Sequence, residues 1–262
     1  MQEQPSFFPV IAIAGLPRVG SMWSYNVARS LVREAGLKLI PDRVPKSDKD
    51  VFEIAESYVR ARPAGARCVV KLHTMLTASP DVIVIRNKRD IRDRLYSYFQ
   101  FMKVNFDEES IGKAVSRSLE MDAHYDRWPA GRILNIPYES IGTDSSALIC
   151  RIAEFAGLPA PDAQTLEDID FRFSRQQVRK QIAELENRVF DAAGRVRHQA
   201  DPETVVEVFG RARAFDPASG FQSGHVSDYR PGDWQRLWTD RQRQMVDDAI
   251  REAQGRRETC DG

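Results

Sequence analysis

Cysteine and histidine are scarce in this chain: three Cys and four His among 262 residues. Cys68, Cys150 and Cys260 are scattered, with no CxxC spacing, which argues against a zinc site or a disulfide framework. A charge excess is also missing, since 38 Lys and Arg balance 38 Asp and Glu. Bulk binders of nucleic acid or of membrane surfaces carry a basic excess, so neither partner is expected, and any anion site must be a local concentration of cations. No apolar run approaches the ~20 residues that span a bilayer. The opening "MQEQPSFFPV" has no basic stretch ahead of an apolar one, so the expectation is a cytoplasmic, reducing setting. Internal repeats and low-complexity linkers are absent too. What remains is an ordinary globular composition, 42% hydrophobic and 29% charged, long enough for one large domain or a domain with a cap.

Short apolar runs lie at Val10 to Ala14, Leu37 to Ile40, Cys68 to Leu72, Val82 to Ile85 and Ile133 to Ile136. Runs without polar alternation fit strands buried on both faces of a parallel sheet. Helical stripes fall between them: Trp23, Val27, Leu31 and Ala35 before Gly36, then Val51 to Val59, Asp90 to Met102 and Ile111 to Ala123. This alternation predicts an α/β fold, a central parallel sheet of about five strands flanked by helices. From Pro159 on, strand signals stop. Val178, Ile182, Leu185 and Val189 mark one buried seam on a polar helix, "RAFDPASGFQSGHVSDYRPGDW" reads as loop, and Thr239 to Gln242 forms a capping box that opens the last helix. The tail "GRRETCDG" is expected to fray. The chain thus divides into an α/β core over 9–160, a helical and loop segment over 161–233, and a C-terminal helix over 234–255.

One more absence carries chemistry. The stretch "AGLPRVGSMW" has the form G-x-x-x-x-G-S-M, from Gly15 to Met22. A Walker loop would hold a lysine at Ser21 and a magnesium-binding hydroxyl at Met22. Their lack disfavours an ATPase or kinase. The strand, turn and helix N-terminus still offer backbone N–H groups to an anion, and Arg18 adds charge.

Three further segments share this layout: "CVVKLHTM", "VIVIRNKRDIRDRLYSYFQFM" and "RILNIPYESIGTDSSALICRIAEFAGLP". Together with the loop they resemble the sulfotransferase superfamily, which uses 3′-phosphoadenosine-5′-phosphosulfate (PAPS) as donor. Its P-K-S-G-T-T-W loop is matched by Pro17 to Trp23, its K-T-H by Lys71, Leu72 and His73, and its R-[DN]-P-[RK]-D-x-x-x-S by Arg89, Asp90, Ile91, Arg92, Asp93 and Ser97. Its Y-E and F-L-G-L landmarks are matched by Tyr138-Glu139 and by Phe155 to Leu158, and "HVSDYRPGDW" is similar to late elements of bacterial members. The resemblance runs from about Pro9 to Trp234 and implies one sulfotransferase domain of P-loop-like fold over 1–262. Departures are visible. Arg18 replaces the family lysine, and Val19 and Met22 replace small polar residues. The C-terminal R-K-G that holds the 3′-phosphate in animal cytosolic members gives way to Ser227, Asp228 and Tyr229, with Arg230 a substitute offset in sequence.

The resemblance implies transfer to a hydroxyl without a metal, releasing 3′,5′-phosphoadenosine (PAP). Arg18, Val19, Gly20, Ser21 and Met22 would hold the phosphosulfate. Trp23 would stack on adenine, or else serve as a core aromatic of its helix, and Tyr138 would touch the adenine. His73 is the expected general base, beside Lys71, at an ordinary pKa near the working pH. His225 is a second candidate on the acceptor side; His124 and His198 read as structural. For the 3′-phosphate, Arg89 with Ser97 fits better than Arg86 with Arg94, because only the first pair supplies both an arginine and a hydroxyl at that spacing. The acceptor, a small-molecule or glycan hydroxyl, is not readable. Two alternatives stay open: a metabolite kinase on the related fold, and a non-catalytic nucleotide-binding module.

Overall fold

The computed structural model describes residues 9–208 and 210–258; Cys260 and the end of the tail lie outside the described residues. Five parallel strands form the centre: β1 (Val10–Ala14), β2 (Lys38–Ile40), β3 (Ala66–Leu72), β4 (Val82–Lys88) and β5 (Ile133–Pro137), in the order β2-β3-β1-β4-β5. Their central residues are mostly apolar because each face meets a helical layer. Ile11 and Ile13 of β1 enter one core, with Trp23, Val27, Leu31, Leu148, Ile152, Ile169 and Ile182. Val10, Ala12 and Ala14 enter the other, with Val51, Tyr58, Met121, Tyr125 and Trp128. Alternation along a strand makes this division.

The first layer consists of α1 (Ser21–Glu34), α5 (Ser145–Phe155), α6 (Ala163–Arg172) and α7 (Arg175–Val189); the second, of α2 (Asp48–Ala61) and the end of α4 (Glu108–Asp126). A third cluster joins α3 (Ile91–Met102) and α4 to the C-terminal α8 (Trp234–Leu237) and α9 (Asp240–Glu258) through Leu95, Phe99, Ile111, Val115, Trp238 and Val246. The capping box forms at α9: Gln242 N donates to Thr239 Oγ1 at 3.2 Å, and Thr239 N donates to Gln242 Oε1 at 2.9 Å. The final helix therefore starts at 240 rather than 234, after a break at Trp238 that seats its ring in this cluster, and α9 carries helix three residues beyond the expected end at 255.

Strand structure does not stop at Pro159. An antiparallel hairpin of β6 (Val205–Val208) and β7 (Arg211–Ala214) pairs Val206 with Arg213. Its strands are four residues long and largely solvent-facing, and β7 alternates Arg with Ala, so no apolar run announces them. β4 also runs three residues past its apolar stretch, because Asn87 and Lys88 pair with Ile136 and Pro137.

The connections from β1 and β4 leave in opposite directions, towards β2 and β5. Open α/β sheets bind ligands at such a switch, outside the carboxyl ends of the strands. The register brings Ala14, Leu72 and Arg86 side by side there.

Candidate active site

The loop after β1 depends on unusual backbone. A Cβ on Gly15 would sit 2.8 Å from the Val19 side chain, and one on Gly20 2.9 Å from both Tyr138 and Ile141, so only glycine fits at either position. Gly20 (φ 86°) starts α1 with no side-chain cap and no acidic residue in the first turn. Arg18 itself takes a left-handed φ of 76°, a conformation that costs a non-glycine residue of order 1–3 kcal/mol and clusters at functional sites.

That strain aims the Arg18 guanidinium along the carboxyl edge. Its Nε donates to Ser97 Oγ at 2.9 Å and its Nη1 to the His225 carbonyl at 3.1 Å, and its Cζ lies 4.6 Å from the Phe101 ring centre. Burial first, then Arg89 and Arg213, lower its pKa to about 10, partly offset by Tyr138; it remains a cation at neutral pH. Arg89 Nη1 donates to the Arg18 carbonyl at 2.9 Å, and its guanidinium lies 3.9 Å from the Tyr138 ring centre and 5.5 Å from that of Tyr229. Its Nε is buried with no hydrogen-bond partner. Thus Arg18, Arg89, Ser97 and Tyr138 come together.

Arg86 and Arg94 do not join them. Arg86 is buried and bonds Asp126 at 2.8 Å and Asp122 on α4. Arg94 donates to the Ala114 carbonyl at 2.9 Å and to Ser118, also on α4. Arg86 fastens α4 to the sheet, and Arg94 fastens α4 to α3.

His73 follows directly on β3. Its Nδ1 lies 2.6 Å from the Gly15 carbonyl, which can only accept, so Nδ1 carries the proton. Nε2 then accepts from Lys71 Nζ at 2.9 Å. Burial, then the Lys71 charge, hold the His73 pKa down at about 3, the bond to Gly15 pulling the other way. This corrects the sequence expectation of an ordinary pKa: the imidazole is neutral throughout the physiological range because it is dehydrated beside a cation. Lys71 is lowered to about 8, by burial, with Asp48 opposing.

The remaining expected residues are distributed as follows. His225 is enclosed: Gln222 N donates to its Nδ1 at 3.1 Å, its ring stacks on Phe101 at 5.9 Å, and burial, Arg18, Lys71, Arg213 and His73 depress its pKa. Trp23 is 8% exposed and belongs to the core between α1 and α5, so the structure favours its core reading over an adenine stack. Ser21 and Val19 are buried in the loop, and Met22 packs where a Cβ on Gly220 would fall. Arg230 is exposed and lines a surface cavity of about 380 Å³ with Arg175, Gln176, Arg179 and Asp228. His124 Nε2 bonds the Leu76 carbonyl at 2.7 Å, a structural role.

Three contributors escaped the sequence reading. Phe101 and Arg213 meet only through the hairpin. Asp93 was visible as a motif position, but its task was not: its carboxylate accepts from Tyr229 Oη at 2.5 Å and Gly232 N at 2.9 Å, holding the C-terminal loop over the site.

A P-loop-like strand–turn–helix without its lysine, ringed by arginines, defines an α/β transferase for anionic donors. The model of the sulfotransferase domain matches residues 9–199, and the chain belongs to the sulfotransferase family. The family match sets aside the kinase alternative. Comparison with curated proteins finds no match. Among solved structures, the chain is similar to mouse sulfotransferase SULT7A1 complexed with PAP, at 15% identity and TM-score 0.56, covering 95% of this chain and 84% of that one. It is equally similar to retinol dehydratase in complex with retinol and PAP, at 15% identity and TM-score 0.56, covering 97% and 82%. At such identity these likenesses speak for the shared fold. Among the described residues no helix is long and apolar enough to cross a membrane.

Proposed function

We propose that this sulfotransferase moves the sulfuryl group of PAPS to a hydroxyl of a small-molecule or glycan acceptor in the cytoplasm, releasing PAP. The observation that carries this reading is a carboxyl-edge cluster of Arg18, Lys71 and Arg89, for which, among the described residues, no carboxylate within ion-pair distance is found. Arg86, buried at the end of the neighbouring strand, is by contrast neutralised by Asp122 and Asp126. An anion with several charges fits the cluster, and Arg89 Nε, buried and unpartnered, fits one of its oxygens. The two relatives that bind PAP support the same donor, and retinol, an alcohol bound by one of them, supports the acceptor class.

Sulfuryl transfer, like phosphoryl transfer, is catalysed by positioning and by electrostatic stabilisation. The N–H groups at the start of α1 and Arg18 receive the phosphosulfate, and Arg89 with Ser97 receives the 3′-phosphate. Lys71 swings from His73 to the sulfuryl oxygens, which frees the lone pair on Nε2. That nitrogen takes the acceptor proton as the acceptor oxygen attacks sulfur, and the bond from sulfur to the 5′-phosphate oxygen breaks. Gly15, holding Nδ1–H, keeps the ring in the tautomer this requires.

The donor is tested by thermal shift. PAP should raise Tm strongly because it binds the native state alone, and ATP, lacking the 3′-phosphate, should raise it much less. Equal shifts would sink the assignment of Arg89 and Ser97.

A further inference from the structure

Phe101, at the end of α3, gathers an unusual set of neighbours. The Arg213 Cζ lies 4.0 Å from its ring centre and the Arg18 Cζ 4.6 Å, and the His225 ring stacks on it at 5.9 Å. Arg213 comes from β7, in the hairpin. Its Nη2 donates to the Phe101 carbonyl at 2.8 Å and its Nη1 to the Ser223 carbonyl at 3.4 Å. These bonds fix the guanidinium, but neutral carbonyls leave its charge standing. Among the described residues Arg213, like Arg18, Lys71 and Arg89, forms no ion pair with a carboxylate, whereas Arg92, on the helix that follows Arg89, takes Asp247. Arg211 precedes it on the same face of β7.

The donor accounts for Arg18, Lys71 and Arg89. Arg213 is left over, next to His225 and the Arg18 side of the reacting centre. Burial and the charge of Arg211 hold its pKa below the ordinary value, and Arg18 and His225 both sense its charge. A neutral acceptor would leave a half-buried cation without a counter-charge, and a cationic one would be repelled. We infer that the acceptor is itself an oxyanion, carrying a carboxylate, sulfate or phosphate monoester that Arg213 receives while its hydroxyl lies at His73. This rests on the donor assignment above, which leaves Arg213 unclaimed.

The test uses PAP-saturated protein and three phenols of similar shape: 4-hydroxyphenylacetate, 4-ethylphenol and tyramine. Calorimetry should find the carboxylate bound about tenfold or more tighter than the neutral phenol, the margin of one charge-assisted pair, with tyramine weakest. Arg213→Gln should abolish that order and leave PAP affinity within about twofold, and Arg213→Lys should restore part of it. The inference is overturned if wild-type protein binds 4-ethylphenol as well as the carboxylate, or binds none of the three. It is also overturned if the order survives in Arg213→Gln, or if that variant loses PAP binding along with the preference. Wild-type binding decides the point even where Arg213→Gln fails to fold. Failure of PAP to bind wild-type protein at all is a different result, which removes the donor assignment instead.

Discussion

The chemistry of single side chains here is set by where water is excluded. His73 would titrate near 6.5 if exposed; burial and Lys71 bring it to about 3, and burial brings Lys71 to about 8. The two shifts reverse the usual pH logic of a histidine base. His73 is already deprotonated at pH 5, so its ionisation limits nothing there. Lys71 carries its charge below about pH 8 and loses it above, taking stabilisation of the sulfuryl oxygens with it. The value of kcat/KM for PAPS, which reports free-enzyme ionisations, should therefore stay level from about pH 5 to 7.5 and fall above about 8. Lys71→Arg should extend the plateau upward, because guanidinium does not deprotonate in this range. His73→Ala should cost roughly two to four orders of magnitude in turnover, with PAP affinity nearly kept. An acid limb near pH 6.5 that vanishes in His73→Ala would contradict the half-buried, lysine-paired imidazole.

At the scale of elements, the junction of β4 and α3 decides which arginine joins Arg18 at the carboxyl edge. Val84 lies on the α4 side of the sheet, and Arg86, two residues on, shares that face and reaches Asp122 and Asp126. Arg89 stands beyond the last paired residue, Lys88, where strand alternation no longer dictates direction, and Asp90 caps α3 immediately after it. Asp93 and Ser97, one helical turn apart, both bury towards the site, while Arg94 turns to α4. Removing Arg89 (Arg89→Ala) should weaken PAP by about 1.5–3 kcal/mol, the range for a hydrogen bond to a charged group. Arg86→Ala should lower stability and leave the PAP affinity of the folded protein unchanged. Titration showing the larger loss in Arg86→Ala would reverse the assignment. The five core strands were legible because burial on both faces requires apolar residues at nearly every position. The motif positions were legible because each sits at a strand end or at a fixed spacing along the helix that follows one. The hairpin was not, since half-exposed strands of four residues leave no run, and with it went Arg213 and its meeting with Phe101 across 112 positions of sequence. The pKa of His73 was also out of reach: it is a property of what the fold stacks around the ring.

The molecule as a whole is held together by its last segment as much as by its sheet. The chain from 215 to 234 crosses the carboxyl edge, and the Asp93 carboxylate fastens it there through Tyr229 Oη and Gly232 N, while Trp234 N donates to the same Tyr229 oxygen at 2.9 Å. Beyond it the α8–α9 segment buries Trp238 and Val246 against Leu95, Phe99 and Val115 of α3 and α4, elements that also carry Ser97 and the two carboxylates that pair with Arg86. A C-terminal part so shared has little core of its own, which favours one cooperative unit over the full described length. The four tryptophans divide among the three largest clusters, Trp23 in the first, Trp128 in the second, Trp234 and Trp238 in the third, so their fluorescence samples both faces of the sheet and the C-terminal helices at once. Urea unfolding followed by that signal and by far-ultraviolet circular dichroism should give one coincident transition, as two-state behaviour requires. Tyr229→Phe keeps the ring near Arg89 but removes the hydroxyl between Asp93 and Trp234. It should move the midpoint by the equivalent of about 1.5–3 kcal/mol, the worth of a hydrogen bond to a charged group, with the slope unchanged. Two separated transitions in the unaltered protein would show that the C-terminal helices fold independently and that the single-domain reading is wrong. A Tyr229→Phe midpoint equal to wild type would show instead that the loop is held by contacts other than Asp93.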